Sequence, residues 1–361
     1  MDAFFGATPR QFQDYLTQRG APTVHARAIF RELYKRGAAD ASATEGIGAS
    51  LRAAVAADFH FALPRLAHWA ESAYDHSVKF RAELGDGTAV ETVLMPESSR
   101  ITVCLSSQVG CAQACTFCHT GRMGLVRNLT AAEIVGQVVA ANAWIRIHPE
   151  WLKRVRLGAG SQITNVVFMG MGEPLDNLGA VGDGLAILHD PYGFNLSLRK
   201  LSVSTAGHLD GLRTLTLRYP DLSIALSLHA TTDAARSRIM PINRRWPLAE
   251  LIGFLRSHYS GPGLGRSLLV QYTVIAGVND SGEDAARLFD LLQGLPVKIN
   301  LIPLNEIEPS RLRAPSVAGL ESFRDQLHAA GFRVMVRYSK GQDITAACGQ
   351  LIVSPTQSHS A

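Results

Sequence analysis

The 361-residue sequence holds no apolar run long enough to cross a bilayer. Its first residues, MDAFFGATPRQFQDYLTQRG, lack the basic start and apolar stretch of a secretion signal. A soluble cytoplasmic protein with no membrane partner is therefore expected. Charge is sparse and nearly balanced: 35 Lys and Arg against 31 Asp and Glu leave +4, a weak pointer to a polyanionic partner. The chain has no internal repeat and no low-complexity segment. With 47% hydrophobic and 18% charged residues it is neither disordered nor collagen-like. Cysteine is scarce as well, five in all, with four of them between Cys104 and Cys118. That odd, clustered set argues against a disulfide framework and suits a compartment that keeps thiols reduced.

What is present divides the chain into four stretches. Residues 1–70 read as a small helical accessory domain: Thr8 with Gln11 matches a capping box, and Phe30, Leu33 and Tyr34 recur at helical spacing. Residues 71–96 turn to β-type runs. There Ser77 to Leu84 and Val90 to Met95 flank Gly85-Asp86-Gly87, which predicts a hairpin linker. Over 97–341, strands are predicted at 101–105, 165–169, 201–204, 222–228, 268–275, 298–303 and 333–336. Helical patterns alternate with them, such as 130–147, opened by Thr130 with Glu133 as its box partner, and 281–292. The expected fold class is α/β, a parallel sheet with right-handed crossovers forming a partial TIM-like (β/α) barrel. Such folds keep their chemistry at the C-terminal strand ends, where Gly172-Glu173, Ser204-Thr205, Ser227 to His229 and Asn305 fall. Residues 342–361 form a C-terminal tail, frayed over 354–361.

The strongest local signal is Cys111-Ala-Gln-Ala-Cys115-Thr-Phe-Cys118, just after the first core strand. Three thiolates at this spacing can wrap one metal centre from one loop. A 4Fe-4S cluster normally takes four thiolates, so three would leave one iron open to a substrate's amino and carboxylate groups. A zinc knuckle completed by His119 or a distant ligand is the other reading. The position of the loop at the first strand end of a barrel favours the cluster.

Together with Gly170-Met171-Gly172-Glu173-Pro174, Ser227-Leu228-His229-Ala230, Ile302-Pro303-Leu304-Asn305 and Ala346-Ala347-Cys348-Gly349-Gln350-Leu351, this loop resembles the RlmN/Cfr family of radical S-adenosylmethionine RNA methyltransferases. The likeness runs in order from about residue 72 to 351, and the AACGQL sextet is its most specific part. It implies a radical S-adenosylmethionine core with one 4Fe-4S cluster on Cys111, Cys115 and Cys118. It also implies two molecules of S-adenosylmethionine consumed per turnover. One methylates Cys348; the other is cleaved to a 5'-deoxyadenosyl radical that takes hydrogen from that methyl group. The methylene radical adds to adenine, whose carbons 2 and 8 are too electron-poor to attack a sulfonium directly. Glu91 is expected to accept the proton as the ring rearomatises. Cys104 is expected to attack the sulfur of Cys348 and release the product, leaving a transient disulfide. Gly172, Glu173, Ser204, Ser227, Leu228, His229 and Asn305 would hold S-adenosylmethionine. Without the resemblance, Cys104 reads as a core cysteine and Glu91 as a solvated strand carboxylate.

The implied reaction is methylation of adenine carbon 2 in 23S rRNA, with tRNA as an open second substrate. Carbon-8 methylation and a non-catalytic, zinc-stabilised RNA-binding module are the alternatives. An electron donor such as flavodoxin and a monomeric state are expected. Arg122 and Arg127, Lys153, Arg154 and Arg156, Arg236, Arg238, Arg244 and Arg245, and Arg311 and Arg313 are candidates for phosphate contacts. The target base must leave its stack to be reached.

Overall fold

A computed structural model describes residues 1–259 and 267–353; the frayed end expected at 354–361 lies outside the described residues. At its centre is a ten-stranded sheet. Seven strands run parallel, side by side in the order the chain makes them: Arg100–Cys104, Asn165–Phe168, Leu201–Thr205, Ser223–Ser227, Leu268–Val274, Val297–Pro303 and Arg333–Val336. Each lies within a few residues of its predicted bounds. Helices Ala131–Ile147, Leu178–His189, Leu209–Arg218, Leu248–Tyr259, Gly282–Leu292 and Val317–Ala329 form the crossovers. This is the (β/α) plan with seven parallel strands where a full barrel has eight. Leu201, Val203, Leu226, Val270, Ile299 and Leu301 are fully or almost fully buried between sheet and helices, as the near-continuous apolar runs of parallel strands require.

The start of the sheet is antiparallel. Ala89–Glu97 pairs with Arg100–Cys104 and with Val78–Glu83, which in turn pairs with Arg65–Glu71. The expected hairpin is present. Its turn is closed by Leu84 N–H donating to Thr88 O (2.8 Å), and Gly87 takes the left-handed conformation at φ 83°. The Arg65–Glu71 strand lies in the stretch expected to be helical. A bulge between Ala67 and Trp69, with His68 at φ 45°, breaks the alternation that would have marked it as a strand. Trp69 packs edge-on against Trp144, with ring centroids 5.3 Å apart.

Both predicted capping boxes form. Thr8 Oγ1 accepts from Gln11 N and Gln11 Oε1 accepts from Thr8 N, and Thr130 and Glu133 repeat the exchange at the head of the long core helix. The N-terminal helices Pro9–Gln18, His25–Phe30 and Ala49–Asp58 gather around Phe4, Phe12, Phe30 and Phe59. This aromatic cluster reaches Val135, Val139 and Ile187 on two core helices, which fixes the module to the core.

Candidate active site

The C-terminal ends of the parallel strands open onto a half-open cavity enclosing about 940 Å³ of atom-free space, part of it open to solvent. One side is the cysteine loop. A two-stranded ribbon, Gln108–Cys111 against Gly124–Asn128, holds its base, and the helical turn His119–Met123 follows its last cysteine. Cys111, Cys115 and Cys118 all line the cavity. Burial pushes the Cys111 thiol up to about 12 and drives Cys115 and Cys118 upward too, with Cys118 as a like charge adding to the rise of Cys111 and Cys115. Three thiolates in this low-dielectric cup would need a cationic centre to remain ionised. The donor set therefore fits an iron-sulfur cluster, which cysteine thiolates hold.

The opposite side comes from successive strand ends. Glu173 follows Asn165–Phe168. Its Oε2 accepts from Ala206 N at 2.7 Å and its Oε1 from Leu175 N at 3.1 Å, while burial raises its carboxyl to about 7. Gly172 has φ 101°, and a Cβ there would sit 2.6 Å from the Gln108 side chain, so only glycine lets the chain bring Glu173 inward. Ser204 and Ser227 end neighbouring strands with their hydroxyls 3.3 Å apart. His229 stands at φ 57° with Nδ1 accepting from Thr273 N at 2.8 Å. That bond places the ring proton on Nε2, so the free nitrogen is a donor. Burial lowers the imidazole to about 3, with Arg236 adding to the effect, so the ring is neutral across the physiological range. Asn305 ends the sixth parallel strand's run and donates to Ser339 Oγ (2.9 Å) and Cys348 O (3.1 Å).

Six of the seven residues expected to hold S-adenosylmethionine thus face one space. Leu228 does not: its side chain is fully buried in the core, and its backbone is spent on Gln271 O and Arg236. Sequence reasoning missed Gln271, whose Oε1 accepts from Ser204 Oγ (3.0 Å) and Ser227 Oγ (3.4 Å) and so couples two cavity hydroxyls. Its signal was an amide side chain in the middle of the mostly apolar strand Leu268–Val274.

Cys348 is exposed and lines this cavity. It also lines a second, smaller one bounded by Cys104, Val93, Met95, Arg337 and Lys340. Cys104 is buried in its strand, pushed up to about 12 first by burial and next by Cys348. Glu91 is also buried, not solvated as its residue type suggested, and it lies off the wall of both cavities. On Ala89–Glu97 it shares a sheet face with Val93 and Met95. Its Oε1 pairs with Lys79 Nζ at 2.9 Å and its Oε2 accepts from Ile352 N at 2.8 Å. Burial raises this carboxyl, opposed by Lys79.

The basic clusters separate on inspection. Arg238, Arg244, Arg245, Arg311 and Arg313 are exposed. Arg236 is not available to phosphates: it is fully buried, donating to Leu228 O, Asn243 Oδ1, Ala206 O and Ser227 O at 2.6–3.0 Å. Arg127 is committed to Asp86 and Glu133, and Arg154 to Glu71.

Comparison with known proteins gives one family match, two close relatives and one solved structure. The model of the radical SAM superfamily matches residues 105–289. The chain is 43% identical over 335 residues, 92% of its length and 87% of the relative's, to the dual-specificity RNA methyltransferase RlmN of Anaeromyxobacter dehalogenans (strain 2CP-C). It is 40% identical over 356 residues, 96% of its length and 88% of the relative's, to the protein of the same name from Paracoccus denitrificans (strain Pd 1222). The crystal structure of a radical SAM methyltransferase from Sphaerobacter thermophilus superposes with a TM-score of 0.87 at 39% identity, covering 97% of this chain and 99% of that one.

Proposed function

Because the chain belongs to the radical S-adenosylmethionine superfamily and, within it, to the RlmN RNA methyltransferases, we propose that it methylates carbon 2 of adenine in 23S rRNA and in tRNA, carrying the methyl group on Cys348. The relatives' name, dual-specificity RNA methyltransferase, supports two RNA substrates. When bound, the 4Fe-4S cluster and S-adenosylmethionine supply the radical that activates the methyl group for transfer to an electron-poor carbon.

Every other part is played by the chain. Cys111, Cys115 and Cys118 hold the cluster. Glu173 takes the cosubstrate's ammonium, Ser204 and Ser227 its hydroxyls, and His229 Nε2–H and Asn305 its acceptor groups, with Gly172 giving room. Cys348 Sγ receives the methyl group, and the carbon of that group, still bonded to Sγ, forms the bond to the base. Glu91 takes the proton from the base, and Cys104 sulfur attacks Cys348 Sγ: the disulfide forms as the bond between Cys348 Sγ and the linking carbon breaks, its electron pair passing to that carbon, which takes a proton and leaves as the product's methyl group. The exposed arginines track RNA phosphates and the helical module grips RNA shape. The protein works as a cytoplasmic monomer supplied with electrons by a donor such as flavodoxin.

The observation that carries this reading is the position of Cys348, a wall of the cavity that holds the three cysteines and also of the one lined by Cys104. A carrier must face donor and acceptor in turn. Mass spectrometry of nucleosides from rRNA and tRNA after reaction is expected to show 2-methyladenosine with the unaltered protein and none with Cys348→Ala. Finding 8-methyladenosine would overturn the carbon assignment, and methylation by Cys348→Ala would overturn the carrier.

A further inference from the structure

The loop that carries Cys348 is tied down on both sides by one ion pair, Lys79 with Glu91, of which the steps above use only Glu91. Lys79 and Glu91 are diagonal neighbours across the hairpin strands Val78–Glu83 and Ala89–Glu97, and their side chains are only 15% and 9% exposed. An ammonium has three hydrogens to donate. Those of Lys79 meet three acceptors: Glu91 Oε1 at 2.9 Å, Thr345 Oγ1 at 2.8 Å and Thr345 O at 3.2 Å. Glu91 spends its other oxygen on Ile352 N at 2.8 Å. The pair therefore grips the chain three residues before Cys348 and four residues after it. Thr345 stands at φ 52°, a left-handed conformation that a β-branched residue does not adopt unaided, so something must hold it there. Other long-range ties to the loop come from around the site: Asn305 to Cys348 O, His119 N to Gly349 O, Gln350 Nε2 to Glu306 O and Thr120 Oγ1 to Leu351 O.

We propose that the Lys79–Glu91 pair is the clamp that sets the position of the Cys348 loop, and that Lys79 is a positioning residue for methyl loading of that cysteine. Glu91 holds both Lys79 and Ile352 as an anion. A proton arriving on Glu91 removes the charge opposite Lys79 and slackens both ends of the loop together. The step that discharges the base is thereby the step that frees the carrier. The consequence for loading rests on the carrier role proposed for Cys348; the clamp does not.

Hydrogen exchange tests the clamp without any need for activity. Peptides spanning 345–352 are expected to exchange at least about tenfold faster in Lys79→Met and in Glu91→Gln, which mimics the protonated acid, the scale set by losing charge-assisted hydrogen bonds. Exchange elsewhere in the sheet should hold, and Lys79→Arg should restore most of the protection. Thr345→Val, which removes one acceptor at an exposed position, gives a smaller change of the same kind should Lys79→Met fail to fold. The intact mass of protein incubated with S-adenosylmethionine and reductant, without RNA, reads methyl loading. It should be slowed in Lys79→Met and recovered in Lys79→Arg. Unchanged exchange across 345–352 in the folded variants overturns the clamp. Faster exchange with undiminished loading overturns the positioning role of Lys79. Absence of loading in the unaltered protein counts against the carrier role, while the exchange result still decides the clamp.

Discussion

His229 shows how one buried side chain is set to a single protonation state. Its Nδ1 is taken by Thr273 N–H, its ring faces Phe117 edge-on, and its backbone carbonyl accepts from Asn279 Nδ2 at 2.7 Å. Burial leaves it neutral, with a folded pKa near 3 against about 6.5 in an unfolded chain. The unfolded state therefore takes up the proton first as pH falls. Stability from this group is complete above pH 6.5 and declines steadily toward 3. Between pH 7 and 5 urea unfolding should show a loss of about 2 kcal/mol that His229→Gln lacks. An equal decline in both proteins would mean that the imidazole is not buried neutral. Cys104 is a second case at this scale. Its apolar strand made it look like core, and it is core, yet the same burial places it beside the cavity that Cys348 lines.

Among the elements, the strand ends are held by Arg236 as much as by the sheet. From the short helix Asp233–Ile239 its guanidinium reaches Ala206 O after one strand and Ser227 O and Leu228 O at the end of the next, with Asn243 Oδ1 completing the set. Burial draws its pKa down to about 10, which still leaves it charged. Arg236→Met keeps the bulk but takes the donor away from Ala206 O, Ser227 O and Leu228 O in the interior, leaving Leu228 O its bond from Ala230 N. A loss of at least about 3 kcal/mol is expected in urea unfolding, together with weaker S-adenosylmethionine binding by titration. In the sequence this arginine is indistinguishable from Arg238, Arg244 and Arg245, because spacing along the chain does not say which of four arginines faces inward. The capping boxes and the Gly85-Asp86-Gly87 hairpin were legible because each is closed by residues a few positions apart. The strand Arg65–Glu71 was not, because its bulge depends on packing against Val78–Glu83 and Trp144.

For the whole molecule, the aromatic module and the barrel core share a boundary. Phe4 is fully buried among Phe5, Phe12, Phe30, Phe59 and Phe61, with ring centroids 5.2–5.8 Å away. Its cluster includes Val135 and Val139 of the helix that crosses over from the first parallel strand. Phe4→Ala should cost about 3–5 kcal/mol, read as a lower unfolding midpoint for the N-terminal helices. Because the module seats on a core helix, RNA methylation should fall with it even though every cavity residue is intact. Full RNA methylation by a Phe4→Ala protein whose module has melted would separate the module from the reaction.

By itself the sequence determined the chemical inventory and the order of elements: three clustered thiols, a distant pair, and strands alternating with helices so that polar residues end the strands. Those features are local, set by residue type, period and short-range capping. Only the tertiary structure decided that Ser204, Ser227 and Gln271 share one hydrogen-bonded group, that Arg236 points inward, and that Lys79 and Glu91 flank the Cys348 loop. Each joins segments far apart in the chain, and their meeting is governed by strand order, sheet register and the close packing of the crossover helices, none of which leaves a periodic mark on the sequence.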